Sequence, residues 1–433
     1  MTRVYNNLIG SYIPSFFEMN ISTDSDDLSI DKLSNRDVTI LFHEYIHFLQ
    51  DFTTIYGLTA IYTHKEYISS VVNRIYKYGS KEFPVPFEID DNNDNVLLNK
   101  YIYKFTLGDH SEIKKITIKK ITINEITINN ELLTNNFLKE IPSITLSVNN
   151  DDYITFGAIA IMENMAYIME RCCSPCSYKK SPEFPYQVAE KVAEFYSPEF
   201  AKDQYKVLAL CDISLQSSNP GVFFVKVMKG IEENRISFET PESVYDHLYT
   251  LDVYDYGTLE QKTFLDAYKK RLIQIQHLLK EYIKNMPMIK SYHKWIDRIT
   301  NFSLKWRESD RYLLLNMARH QDLSTNRYWA NVIHEVGTPL MSNKKGHYFK
   351  IPPHGSIKDM DVEFFRAIRE IESLFESGSV ECSMYNWCKI SNNKSINNLC
   401  KRTPWKKSTE GYLCPYALLW RHWNLSNRTP IKK

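Results

Sequence analysis

Asp37-Val38-Thr39-Ile40-Leu41-Phe42-His43-Glu44-Tyr45-Ile46-His47-Phe48-Leu49-Gln50-Asp51-Phe52 is the stretch whose reading decides the fold. Val38, Leu41, Tyr45, Phe48, Leu49 and Phe52 recur at three- and four-residue steps, the period of a helix. On that helix His43 and His47 fall on one face and can share one metal ion. Glu44, one residue after the first histidine, can reach a metal-held water without being a ligand. Two histidines and a glutamate in so apolar a helix need partners if they are buried. The competing reading is a partly exposed helix whose polar stripe spells H-E-x-x-H by accident. A di-iron carboxylate bundle needs two E-x-x-H motifs, and the sequence holds one.

A catalytic zinc takes three protein ligands and leaves one position open. Two glutamates are candidates for the third ligand. Glu66 follows His47 at the spacing H-E-x-x-H-x18-E. Glu163 is distant in sequence but sits in an apolar helical run, among Ala158, Ile159, Ala160, Ile161, Met162, Met165, Ala166 and Ile168. A carboxylate there is costly unless something compensates it, and a metal is one way.

At this point the sequence resembles the gluzincin metallopeptidases. Their third ligand is a glutamate on a second helix, often with alanine three residues later and an acidic residue seven later. Glu163, Ala166 and Glu170 have that form, whereas Glu66 is followed by Tyr67, Ile68, Ser69 and Ser70. The resemblance therefore favours Glu163, with Glu66 as the alternative. Asn164 stands where aminopeptidases of the group commonly have glycine. The resemblance covers two short helices. It implies a zincin-like catalytic core, one Zn2+ per chain, Glu44 as general base, and hydrolysis of a peptide or protein substrate. Asp51 and Glu170 are candidate acceptors for the ligand imidazoles. Tyr167, His334 and Arg319 are candidate donors to the oxyanion. Two other outcomes stay open: a zincin-fold binding or effector module without turnover, and metal-dependent hydrolysis of a non-peptide bond.

Around the motif, the chain reads as mainly helical α+β. Residues 1–81 hold the N-terminal segment and the H-E-x-x-H helix, with Gly57 as the expected break before a second helix over 58–78. Residues 82–153 read as a β-rich insertion. Within it Lys115–Ile118, Lys120–Ile123 and Glu125–Ile128 repeat a five-residue echo of β-branched residues, expected to be strand rather than solenoid. Residues 154–184 carry the Glu163 helix and complete the catalytic core. Residues 185–339 form a helical domain, and 340–433 a mixed C-terminal region.

Composition narrows the function classes. The 433 residues are 43% hydrophobic and 24% charged, with net charge +1. No global field steers such a chain to nucleic acid. Glycine is scarce, 13 in all, and no phosphate-cradling G-x-x-x-x-G-K-[ST] or G-x-G-x-x-G occurs. No apolar run is long enough to span a membrane, and Met1 to Asn7 do not read as a signal segment. The expectation is a cytoplasmic protein with no membrane partner; the sequence does not set its oligomeric state.

Eight cysteines fit a reduced chain better than a disulfide scaffold. Cys173 and Cys176 form an isolated Cys-x-x-Cys. Cys382, Cys388, Cys400 and Cys414 are separated by gaps of 5, 11 and 13 residues, which do not match paired zinc-ligand spacing. The tail from Tyr385 carries ten Lys or Arg, one acidic residue, and Trp387, Trp405, Trp420 and Trp423. It reads as a docked segment whose tryptophans cover a core, rather than a nucleic-acid surface.

Overall fold

Ser34 starts the motif helix: its hydroxyl accepts the Asp37 N–H at 3.2 Å and satisfies one of the donors a helix leaves open at its first turn. The helix, α1, runs Asn35–Thr53, and every residue from Thr39 to Thr53 is buried. A helix buried on all sides belongs at the centre of a domain rather than on its surface. In the computed structural model α1 is that central element. The structure describes residues 10–89, 95–127, 140–149, 152–174, 181–255, 260–281, 290–355, 363–390 and 396–433.

The second helix, α2, spans Ile55–Lys77. Gly57 does not break the helices apart, as the sequence led us to expect; it lies in the first turn of α2, after a corner at Thr54. A Cβ at Gly57 would sit 2.4 Å from the carbonyl oxygens of Gln50 and Asp51, so the corner closes only on glycine. Thr54 ties it, donating to Gln50 O at 2.7 Å and accepting from Gly57 N at 3.0 Å.

Strands β1 (Gly10–Ile13) and β2 (Glu18–Ile21) form an antiparallel hairpin, and β2 pairs in parallel with Leu340–Ser342. The resulting four-stranded sheet lies against α1, with β1 at its edge. The insertion holds β3 (Glu82–Val85), helix α3 (Asn95–Leu107), and an antiparallel sheet of β4 (Ile118–Thr127), β5 (Glu140–Val148) and β6 (Asp152–Phe156). The echo therefore makes one strand, not three. A five-residue spacing is odd, so successive copies present their isoleucines to opposite faces of a pleated strand. A register shift between Ile118 and Lys120 interrupts the ladder at that point. Ile128 lies outside the described residues.

Helix α4, Ala158–Cys173, follows β6 directly and packs on α1. Helices Gln204–Ser214 and Lys290–Ser309 pack nearby, and one ion pair between them is fully buried. Arg307 donates to both carboxylate oxygens of Asp212 at 2.8 Å and to Thr53 O at 2.6 Å, closing the C-terminal end of α1. The chain is mainly helical α+β, 58% helix and 13% strand. One apolar cluster runs from Tyr12 to Leu425, and Trp405 and Trp420 of the tail are buried in it.

Candidate metal centre

His43, Glu44 and His47 lie on α1, and Glu163 lies on the facing α4. All four are buried: 8%, 7%, 9% and 4% exposed. One Glu163 oxygen, Oε2, sits 3.3 Å from His43 Nε2 and 3.4 Å from His47 Nε2. The three ligand atoms lie within 4.8 Å of one another, the one such group among the described residues. Glu66, the alternative, is on α2 beside Tyr62 and Lys65 and is not part of this group.

The remaining ring nitrogens are also held. His43 Nδ1 meets Glu170 Oε2 at 2.9 Å, the role the sequence suggested for Glu170. Its other suggestion, Asp51, does not reach an imidazole. Asp51 accepts from Tyr12 OH at 2.8 Å and Ser15 N at 2.6 Å, and so pins the β1–β2 hairpin to α1. Gln50 serves His47 instead: its Oε1 is 2.8 Å from Nδ1, and its Nε2 donates to Met162 O at 3.1 Å. Sequence reading passed over Gln50, although its place three residues after His47 puts it on the same helix face. With both Nδ1 atoms occupied, both Nε2 atoms are directed at Glu163, the orientation a metal requires of its imidazoles.

Electrostatics fit the same picture. Burial pushes Glu163 up, but the imidazoles of His47 and His43 outweigh it and hold the carboxyl at about 2. Burial alone would lower His43, yet Glu163 and Glu170 keep it well above its ordinary value. His47 is raised in the same way by Glu163. The imidazoles thus hold protons against an ionised Glu163, where a cation would sit. Glu44 differs: burial raises it to about 7, against the pull of His43 and His47. A carboxyl poised near neutrality can both take and return a proton.

Two further groups reach the centre. Gly10, on β1, lies against Glu44: a Cβ there would stand 2.6 Å from Glu44 Oε1. Tyr186 is buried, with its ring 6.1 Å from that of His43 and its phenol kept protonated by burial and by the charges of Glu163 and Glu44. Nothing in the sequence marks Tyr186, which sits on the short helix Glu183–Tyr186. Tyr167 lies one ring further out, 5.9 Å from Tyr186 and under the Arg171 guanidinium. Arg319 is engaged by Glu242, and His334 stacks on His354, so neither suggested oxyanion donor belongs to the site.

A cavity of about 10 Å³ opens between Tyr12, Pro14, His47, Gln50, Asp51, Met162 and Glu163, room for about one water. Pro14 also walls a larger cavity of about 340 Å³, lined by His64, Tyr101, Tyr103, Phe105 and Ile159. The small cavity touches two of the three ligands, His47 and Glu163; two imidazoles and one carboxylate are a donor set that suits catalytic zinc. Asn164, where the resemblance has glycine, bonds both ways with Glu190, donating to Oε2 and accepting from the backbone N–H at 2.9 Å each. Cys176 lies outside the described residues, and Cys173 is a buried thiol. No known protein family, curated protein or solved structure matches this chain.

Proposed function

We propose that this centre binds one zinc ion through His43, His47 and Glu163 and hydrolyses peptide bonds, on a zincin-like core of the gluzincin kind. The observation that carries the reading is the convergence of the three ligand atoms from two helices, 120 residues apart along the chain, with Glu44 beside them. Zinc held there supplies a Lewis acid and an ionisable water at neutral pH.

The chain's own groups do the rest. Glu44 takes a proton at its carboxylate and passes it on to the leaving nitrogen, a task its value of about 7 suits. Tyr186 keeps its phenolic proton and so can donate to a developing oxyanion. Glu170 and Gln50 fix the tautomer and tilt of the two imidazoles.

A peptide, rather than another ester or amide, is favoured by β1. Among the described residues its backbone is paired on one side, with β2. All four β1 residues are buried, so an extended chain would pair with the second edge only by displacing what covers it, and it would then pass Glu44 at Gly10. The test is Glu44→Gln. It should retain zinc and lose all proteolysis, read by mapping of new N-termini in a cell extract. A protein that holds zinc but generates no new N-termini, wild type and variant alike, would leave a binding module in place of a peptidase.

A further inference from the structure

Apart from the histidine centre, the C-terminal region assembles a second set of metal-ligating side chains. Between Glu381 and His422 the described chain has no helical segment longer than eight residues: Tyr385–Ile390, Leu399–Arg402, the 3-10 turn Pro404–Thr409 and Pro415–His422. Folding such pieces requires something beyond helix propensity. Four cysteines converge there. The Cys382 N–H donates to Cys400 O at 3.2 Å, which joins the first and third ligand loops. Cys382 lies in electrostatic range of Cys388 and Cys414, Cys388 of Cys400 and Cys414, and Cys414 of Cys400. None of the four is in a disulfide.

The surroundings call for negative charge. Lys407 is fully buried, its Nζ has no hydrogen-bond partner, and the nearest carboxylate oxygen, Glu410 Oε2, is 3.7 Å away. That ammonium faces Cys388 and Cys414. Tyr416 OH is a second buried donor without a partner, and it faces Cys382 and Cys414. Backbone N–H groups already point at the sulfurs: Met384 at Cys382, and Tyr416 and Ala417 at Cys414. A buried donor without a hydrogen-bond partner calls for an explanation, and a missing ion is one. Neutral thiols give them little, since sulfur in a thiol is a weak acceptor.

We propose that Cys382, Cys388, Cys400 and Cys414 form a structural zinc site, a tetrathiolate that staples the C-terminal region, with Lys407 as its buried counter-charge. Four thiols give up their protons to solvent, four Zn–S bonds form, and no electron changes hands. The ion and four thiolates sum to a charge of −2, which Lys407 partly neutralises and the N–H donors share. The sulfurs are neighbours without yet standing at ligand spacing, so closure turns the side chains while the Cys382–Cys400 backbone bond holds. The sequence spacing hid this site, because its ligands come singly from four short elements instead of in C-x-x-C pairs.

The test uses the full chain, purified under reducing conditions, and does not depend on the histidine centre. Glu163→Ala, which disables that centre, should keep one zinc per chain, and Cys388→Ser with Cys414→Ser in the same background should keep none. Because the cysteine variant could misfold, the decisive measurement is made on Glu163→Ala itself. Its cobalt(II) form should show sulfur-to-cobalt charge-transfer absorption, which an imidazole–carboxylate site cannot give. Chelation should then expose these four thiols together to alkylation, identified by peptide mapping. Lys407→Met should weaken metal binding about tenfold. The same change should raise the melting temperature of the chelated protein, where the buried ammonium makes no hydrogen bond and meets Glu410 only at 3.7 Å. Absence of the sulfur-to-cobalt band, disulfides among these four cysteines, or bound iron with inorganic sulfide would each overturn the proposal.

Discussion

Glu170→Ala should weaken metal binding at the histidine centre without touching a ligand. In the structure Glu170 Oε2 takes the Nδ1–H of His43 at 2.9 Å, and both side chains are largely shielded, 17% and 11% exposed. A hydrogen bond to a charged group contributes roughly 1.5–3 kcal/mol, against about 0.5–1.5 for a neutral pair. Glu170→Gln keeps an acceptor but loses its charge, so about 1–1.5 kcal/mol goes, near tenfold in affinity. Glu170→Ala leaves a buried N–H without a partner and frees the ring to turn; partners of this kind typically cost 10–100-fold, so the upper end of about 100-fold is expected. Gln50→Leu should cost about tenfold, through His47. Glu163→Ala removes a ligand and should exceed all of these, while Glu66→Ala should bind as wild type. Cobalt(II) titration measures the series, because this centre is distinguishable from a thiolate site by its lack of sulfur-to-cobalt absorption. Two results would refute the reasoning: Glu170→Ala binding like wild type, or Glu66→Ala falling as far as Glu163→Ala.

Gly10→Ala should cost activity more than stability. Its Cβ would meet Glu44 Oε1 and Ile40 Cγ2 at 2.6 Å, and the flexible end of Glu44 is what yields; an enzyme with unchanged kcat/KM would contradict the placement of β1. Arg307→Met should lower unfolding free energy by about 3–5 kcal/mol, since it strands the buried Asp212 carboxylate and uncaps α1; urea denaturation checks it, and a loss under about 1 kcal/mol would mean the pair is dispensable. Lys65 is lowered to about 7, chiefly by burial, with Glu66 and Glu281 opposing. Between pH 7 and the ordinary 10.5 the unfolded chain holds a proton that the folded chain has released, so stability from this group rises with pH across that window. Lys65→Met should therefore raise the melting temperature at pH 7 and flatten its rise above that pH; an unaltered slope would place the shift elsewhere.

How much of this was legible in the sequence depended on whether the interaction was local. The apolar period that frames His43 and His47, and the apolar run around Glu163, lie within single helices, so composition and spacing reported them. The strand character of Lys120 to Thr127 was legible for the same reason, but not its pairing with β5, which depends on residues some twenty positions away. Gly57 was misread because a glycine signals a break and a close helix–helix corner equally well; what decides is the carbonyls of Gln50 and Asp51 pressing on it. Asp51 was misassigned for a related reason. One turn from His47 is within reach of an imidazole, and what drew the carboxylate away was a hairpin from another part of the chain.

The two proposed metal centres differ in what made them readable. At the first, two ligands and the base share one helix, so a five-residue pattern carries most of the chemistry and only Glu163 had to be found at a distance. At the second, each cysteine comes from its own short element, and the pattern carries nothing. What betrays that site is a mismatch of charge and hydrogen bonding: the buried Lys407 Nζ and Tyr416 OH make no hydrogen bond, and Lys407 meets Glu410 only at 3.7 Å. The same physical argument made Glu163 the better third ligand. A charged group in an apolar setting implies its counterpart, whether the counterpart is another side chain or an ion. At Glu163 the counterparts are His43 and His47, drawn to one carboxylate oxygen; at Lys407 Glu410 stands 3.7 Å away without a hydrogen bond, and the ionised sulfur of the proposed site would complete the counter-charge.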